Sequence, residues 1–162
     1  MTIKIAHISD VHWRSLKRHD EYSEDFHKIF ASLRENSPDF IFIGGDIVHS
    51  KTQGISPELI DKLTWWFTEL SNIAPTHVIL GNHDGLILNE DRQDAITPII
   101  NALNNSNIKL YKKSGVYPFY TDLNGKNYNW CVFSCFDEKG WKSVKPVLDD
   151  INIACFHGAV WG

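Results

Sequence analysis

The stretch His77-Val78-Ile79-Leu80-Gly81-Asn82-His83-Asp84 runs apolar for three positions after its first histidine and then stops on a glycine, an amide, an imidazole and a carboxylate. A short apolar run bounded by a turn signal reads as a buried strand. Polar groups placed directly behind a buried strand are costly for stability and useful for chemistry. The same grammar recurs along the chain. Residues 3–8 lead to Asp10-Val11-His12, residues 40–43 to Gly44-Gly45-Asp46, and residues 151–156 to His157. In open α/β sheets the carboxyl ends of parallel strands are where ligands bind. The four polar motifs are therefore expected to converge, and carboxylate, imidazole and amide together form a metal-ligand set.

The segments between these strands support that layout. Tyr22, Phe26, Ile29, Phe30 and Leu33 recur at helical spacing over residues 20–36, with Pro38 marking the stop. Ser56-Pro57 opens a second helix whose stripe is Leu59, Ile60, Leu63, Trp66, Phe67, Leu70 and Ile73, and Thr97-Pro98 repeats the start signal before Ile99, Ile100 and Leu103. Strands alternating with helices imply right-handed crossovers and a parallel sheet. After Asn107 the pattern changes. Residues 108–111 and 116–121 read as short strands, Asn124-Gly125 as a hairpin turn with both central residues at positive φ, and residues 128–136 as the return strand. Residues 137–150 read as loop or a short helix, so an antiparallel component joins an otherwise parallel α/β fold.

With 162 residues, 43% of them hydrophobic and 22% charged, the chain fits one globular domain. The amino terminus reads as a strand without a small-residue cleavage site, and no apolar run nears the ~20 residues of a membrane helix. The cysteines, Cys131, Cys135 and Cys155, are odd in number and form no Cys-x-x-Cys pair. They read as buried small apolar groups of a reducing compartment, so a cytoplasmic location is expected, away from membranes. A net charge of −4 argues against a strongly basic nucleic-acid surface. Two bound divalent cations would bring the formal total to about zero, so charge neither supports nor excludes DNA.

Taken singly, each motif has a plain structural reading: a capping Asp beside a surface His, a glycine turn, a satisfied strand terminus. Jointly they say more. Asp10 and His12, two apart in extended backbone, point the same way and can grip one ion. Gly44 and Gly45 allow close backbone approach, and the two oxygens of Asp46 can face two cations. Asn82 and His83 add an amide oxygen and an imidazole. His49 either lines the site without serving as a ligand or is a solvated loop histidine, and His7, inside the first strand, reads as structural.

The order Asp-x-His, Gly-Asp-x-x-His, Gly-Asn-His-Asp and a later strand-terminal His resembles the calcineurin-like metallophosphoesterase superfamily over nearly the whole chain. The form Gly45-Asp46-Ile47-Val48-His49-Ser50 is most similar to the SbcD-type DNA repair nucleases. That resemblance implies an αββα sandwich of two mixed sheets flanked by helices. It places Asp10 and His12 on one metal, Asp46 between two, and Asn82 and His157 on the second. His83 becomes a proton donor or charge stabiliser near the leaving oxygen, and Asp84 orients His83. The cofactors it implies are two divalent metal ions, manganese first, with iron or zinc as alternatives. Two cations some 3.5–4 Å apart can hold a hydroxide, neutralise a phosphate and stabilise both attacking and leaving oxygens. The implied activity is phosphodiester hydrolysis by a metal-bridging hydroxide, as a DNA exonuclease or endonuclease of repair or recombination. An SbcC-like SMC-type ATPase partner and a homodimer come with it. The alternatives are a small-molecule phosphomonoesterase or cyclic-nucleotide phosphodiesterase, and a non-catalytic scaffold on the same fold.

Two departures shape further expectations. The family's final Gly-His-x-His motif, which adds a ligand to each metal, does not occur in residues 1–162. These residues are therefore expected to be the amino-terminal portion of the domain, truncated on its C-terminal side, with apolar surface showing on the second sheet. In addition, Trp13-Arg14 and Leu16-Lys17-Arg18 follow the first histidine. An aromatic and three cations beside the metals can stack on a base and contact phosphates. The competing reading is a solvated basic loop with Trp13 packed inward.

Overall fold

The computed structural model describes residues 2–49, 54–87, 89 and 92–158. The elements are β1 (Ile5–Ile8), α1 (His19–Asn36), β2 (Phe40–Ile43), α2 (Pro57–Ile73), β3 (Thr76–Ile79), α3 (Thr97–Leu103), β4 (Ile108–Tyr111), β5 (Gly115–Thr121), β6 (Asn127–Phe133) and β7 (Ile151–Phe156), with a 3₁₀ segment at Glu138–Ser143. β1-β2-β3-β4 form one sheet and β5-β6-β7 another. All pairs of the first sheet are parallel, whereas β5·β6 is antiparallel and β6·β7 parallel. The chain is thus α/β with one wholly parallel sheet, where two mixed sheets were expected. The reason is local: a helix intervenes before each of β2, β3 and β4 and returns the chain to the same edge direction.

Strand alternation sorts side chains into two cores. Ile41, Ile43 and Val78 face Phe26, Phe30, Leu63, Trp66, Phe67 and Leu70 of α1 and α2. Phe42 and Ile79 face Trp130, Val132 and Cys155 of the second sheet. Each such side chain, fully buried, contributes about 1.5–3 kcal/mol. The helices lie in the first core only. The outer face of the second sheet is covered, among the described residues, by the 3₁₀ segment, with Trp141 set edge-on against Phe133 and Phe156. β7 is its edge strand, and Phe156 is 37% exposed.

The Ser56-Pro57 start follows its sequence signal, whereas Thr97 does not cap α3. The Ser56 hydroxyl accepts from the Leu59 amide at 3.2 Å ahead of Pro57. At α3 the N-cap position is Ile96, and the side chain that reaches the first amides is Asp94, three residues before Thr97. Its Oδ1 accepts from the Ile96 and Thr97 amides, and Oδ2 accepts from the Thr97 hydroxyl and pairs with Lys112. The hairpin differs from expectation. Gly125 alone has positive φ, 78°, and the Gly125 amide donates to the Asp122 carbonyl at 3.0 Å. This is a three-residue loop with glycine in the left-handed position, not a two-residue turn. Asp122 decides it, because its carboxylate also accepts from the Asn124 and Lys126 amides. β6 stops at Phe133 because Ser134 turns away, its hydroxyl donating to the Lys112 carbonyl and its amide to the Ser114 hydroxyl. All three cysteines are buried free thiols, as expected. Among the described residues no helix is long and apolar enough to cross a membrane.

Candidate metal centre

The loops after β1 and β2 remain hydrogen-bonded past the ends of their strands. Gly44 donates to Ile8, Asp10 to Gly45, His12 to Asp46 and Trp13 to Ile47, backbone to backbone, at 2.8–3.1 Å. The loops after β2 and β3 meet through glycines. A Cβ on Gly45, whose φ is +95°, would lie 2.6 Å from the Gly81 nitrogen, and one on Gly81 would run into the Asp46 backbone and carboxylate. Asp84 fastens the same junction. Fully buried, its Oδ1 accepts from the Ile47 and Val48 amides at 2.8 and 3.0 Å, and its Oδ2 from the Gly81 amide at 2.8 Å. Burial pushes its carboxyl up to about 6; the amide bonds oppose the rise and the nearby Asp46 charge adds to it. The expectation that Asp84 orients His83 is corrected here. Among the described residues the Asp84 carboxylate is bonded to backbone amides, and the His83 ring is instead fixed by the His49 carbonyl, 2.6 Å from its Nδ1.

These locks place Asp46, 4% exposed, at the centre. Its Oδ1 accepts from the His83 amide at 2.8 Å. Its Oδ2 faces the Nε2 atoms of His157, His12 and His83 at 3.3, 3.6 and 4.0 Å. Asp10 Oδ1 stands 3.9 Å from His12 Nε2, and one donor atom each from Asp10, His12 and Asp46 lies within 4.8 Å of the others. A carbonyl can only accept, so the proton of His157 sits on Nδ1, 2.7 Å from the Gly44 oxygen, and that of His83 sits on its Nδ1. In the neutral form of either ring the Nε2 lone pair is the one turned toward the Asp46 carboxylate. Asn82 lines the same cavity, about 450 Å³, with Asp10, Asp46 and His157.

Asp10 and His12 do converge, though not in extended backbone. Their φ values are 56° and 54°, and that of Asp46 is 52°. Non-glycine residues in this region cost of the order of 1–3 kcal/mol each and cluster at functional sites. Of the two readings of Trp13, contact with substrate is excluded and inward packing holds. Its ring is 0% exposed and stacks on Tyr22 and Phe26 at 4.6 and 5.5 Å. Arg14 is exposed, and His49 is half-buried, lying against His12 and His83 at ring distances of 5.6 and 6.2 Å. Partial burial, then the Arg14 charge, pulls the His49 imidazole below its ordinary value. Ser50 lies outside the described residues.

Two residues were missed. Ser9 donates to Asp10 Oδ2 at 2.6 Å, steering the carboxylate. His7, read as structural, is exposed and lines the cavity beside Ser9 and Gly44. The signal was the two-residue spacing His7, Ser9 on a strand leading to Asp10.

Comparison with known proteins places the chain in a family. Residues 3–161 match the family described as calcineurin-like phosphoesterase. Over 170 residues the chain is 38% identical to the uncharacterized protein R555 of Acanthamoeba polyphaga mimivirus, covering 96% of this chain and 12% of that protein. Over 165 residues it is 31% identical to the DNA double-strand break repair protein Mre11 of Nanoarchaeum equitans, covering 94% and 40%. The chain therefore spans less than half the length of these relatives. The solved structure of the Pseudomonas putida nuclease MPE superposes with a TM-score of 0.48 at 18% identity, over 79% of this chain and 52% of that one.

Proposed function

The chain belongs to the calcineurin-like phosphoesterase family, and from that premise we propose that it is a metal-dependent hydrolase of phosphodiester bonds in DNA, acting in repair or recombination. One observation carries the reading: a buried carboxylate ringed by three imidazole nitrogens, two of them with the proton held on the far side of the ring. Imidazole nitrogens and a carboxylate that face one another need a proton or a cation between them. A scaffold has no use for that arrangement, and divalent cations satisfy it. The donors are oxygen and nitrogen without thiolate, which suits manganese, iron or zinc. Resemblance to SbcD-type nucleases favours manganese.

In this reading Asp10 and His12 hold one cation, Asp46 lies between two, and Asn82 and His157 hold the second. Bound there, the cations supply a nucleophile from water near neutral pH and neutralise the phosphate. The protein's own task is placement. The Gly44 carbonyl keeps His157 in one tautomer, a support that metal-binding histidines generally need. The His49 carbonyl holds the His83 ring, whose side chain is 41% exposed, with Nε2 toward the site. A His83 ring that takes up a second proton, on Nε2, can deliver it to the leaving oxygen and return to the neutral form. DNA as substrate is supported by the 31% identical relative, a double-strand break repair protein. An SMC-type ATPase partner and a homodimer belong to the same reading.

The test is manganese-dependent release of nucleotides from linear DNA, abolished by Asp46→Ala. Equal release in EDTA overturns the metal-dependent reading. Turnover of a mononucleotide ester far above that of DNA replaces the nuclease with a small-molecule phosphoesterase.

A further inference from the structure

Beside the metal centre the loop after β1 forms a cleft of about 440 Å³ lined by Arg14, Ser15, Leu16, Lys17 and His49. We propose that this cleft is a second phosphate subsite, holding the backbone of a single nucleic-acid strand next to the phosphate at Asp46. The inference rests on the phosphoesterase reading above and adds to it a distinction between polymer and small ester.

Surface cations are usually no more than a solvated face. Here the main chain beneath them is pinned. Trp13 is buried and stacked, and its backbone is bonded on both sides, amide to Ile47 and carbonyl from the His49 amide. The Ser15 hydroxyl donates to the Gly54 carbonyl at 2.9 Å and accepts from the Ser56 amide at 3.2 Å, and the Ser56 hydroxyl donates to the Ser15 carbonyl at 2.6 Å. His19 Nε2 donates to the Arg14 carbonyl at 2.6 Å. The loop is thus a fixed platform, held by the buried Trp13.

Its cations are not equivalent. Arg18 is engaged by Glu21 through both Nε and a terminal nitrogen. Arg14 and Lys17 are exposed and enter no ion pair among the described residues. The exposed cations therefore have charge to offer an anion. His49 joins the cleft to the centre, since it lines the cleft and lies roughly parallel to His83, 24° between planes. A small phosphomonoester has one phosphate, which the Asp46 centre takes. Only a substrate with neighbouring phosphates uses both places, and guanidinium and ammonium are the groups that recognise them.

The test uses the 162-residue chain and a short fluorescein-labelled single-stranded DNA in EDTA, read by fluorescence anisotropy across a salt series. Each phosphate contact on a single strand contributes about 0.7 to the slope of log affinity against log salt. Arg14→Ala/Lys17→Ala is expected to lower that slope by about 1.4 and to weaken binding roughly 10- to 30-fold at 0.1 M salt. Lys126→Ala/Lys142→Ala, with the same change in net charge on the second sheet's side, is expected to leave the slope unchanged. An unchanged slope in the Arg14/Lys17 variant, or an equal fall in both variants, overturns the subsite. The two readings fail separately. Manganese-dependent hydrolysis with an unaltered slope removes the subsite and keeps the phosphoesterase. A lowered slope in a chain that hydrolyses no phosphodiester keeps the binding cleft and removes the phosphoesterase.

Discussion

The four-stranded sheet brings to the site three loops locked to one another, whereas the three-stranded sheet brings a single histidine on an edge strand. The first three loops share backbone bonds, a glycine-on-glycine contact and the buried Asp84 clamp, so Asp46 has one place it can occupy. His157 depends instead on the packing of Phe42, Ile79 and Tyr111 against Trp130, Val132 and Cys155, and on its bond to the Gly44 carbonyl. Position in the first sheet is set by local chain geometry, and position in the second by how two faces fit. The centre should therefore respond differently to damage on its two sides.

The largest effect is expected at the junction itself. Asp46→Ala removes the carboxylate that every imidazole of the cluster faces, and phosphodiesterase activity should fall on the order of 10³-fold or more, about 4 kcal/mol of transition-state stabilisation. A steady-state assay with manganese checks it. Next comes Gly45→Ala. A methyl at φ +95° against the Gly81 backbone should cost about 2–4 kcal/mol in urea unfolding and should disturb the site as well.

The interface between the sheets has its own signature in pH. His77 is buried there with Nδ1 2.8 Å from the Tyr111 hydroxyl, and burial, then the Lys109 charge, lowers its imidazole from 6.5 to about 4. Below pH 6.5 the unfolded chain takes up a proton that the folded chain refuses. Its contribution is therefore fully present above pH 6.5 and lost as pH falls toward 4, with a ceiling of about 3 kcal/mol. Urea midpoints measured between these limits should fall less steeply in His77→Leu than in the wild type. The smallest effect is expected at Ser9→Ala. Losing the bond that steers Asp10 should weaken manganese binding about tenfold, the low end for such supporting partners, because Asp10 is exposed.

The same division explains what could be read from sequence. Strand ends, helix stripes and the order of motifs are local, and β2, β4, β7 and the Ser56-Pro57 start lie where their residues say. What depends on distant partners was hidden. Nothing near Trp13 announces that Tyr22 and Phe26 will stack on it, and nothing near Asp84 announces that its acceptors will be filled by amides 36 and 37 residues away. The hairpin at Asn124-Gly125 was misjudged because the Asp122 side chain outcompeted the dipeptide signal. The left-handed backbone at Asp10, His12 and Asp46 was invisible for the same reason, since it is imposed by the loops running side by side.

The most direct test of the central claim, that Asp46 organises a divalent-cation centre, is a manganese titration followed by isothermal calorimetry on the wild type and on Asp46→Ala, with circular dichroism to establish that both are folded. Saturable binding in the wild type that is lost in Asp46→Ala is the expected result. A folded Asp46→Ala protein that binds manganese with the same isotherm as the wild type contradicts it.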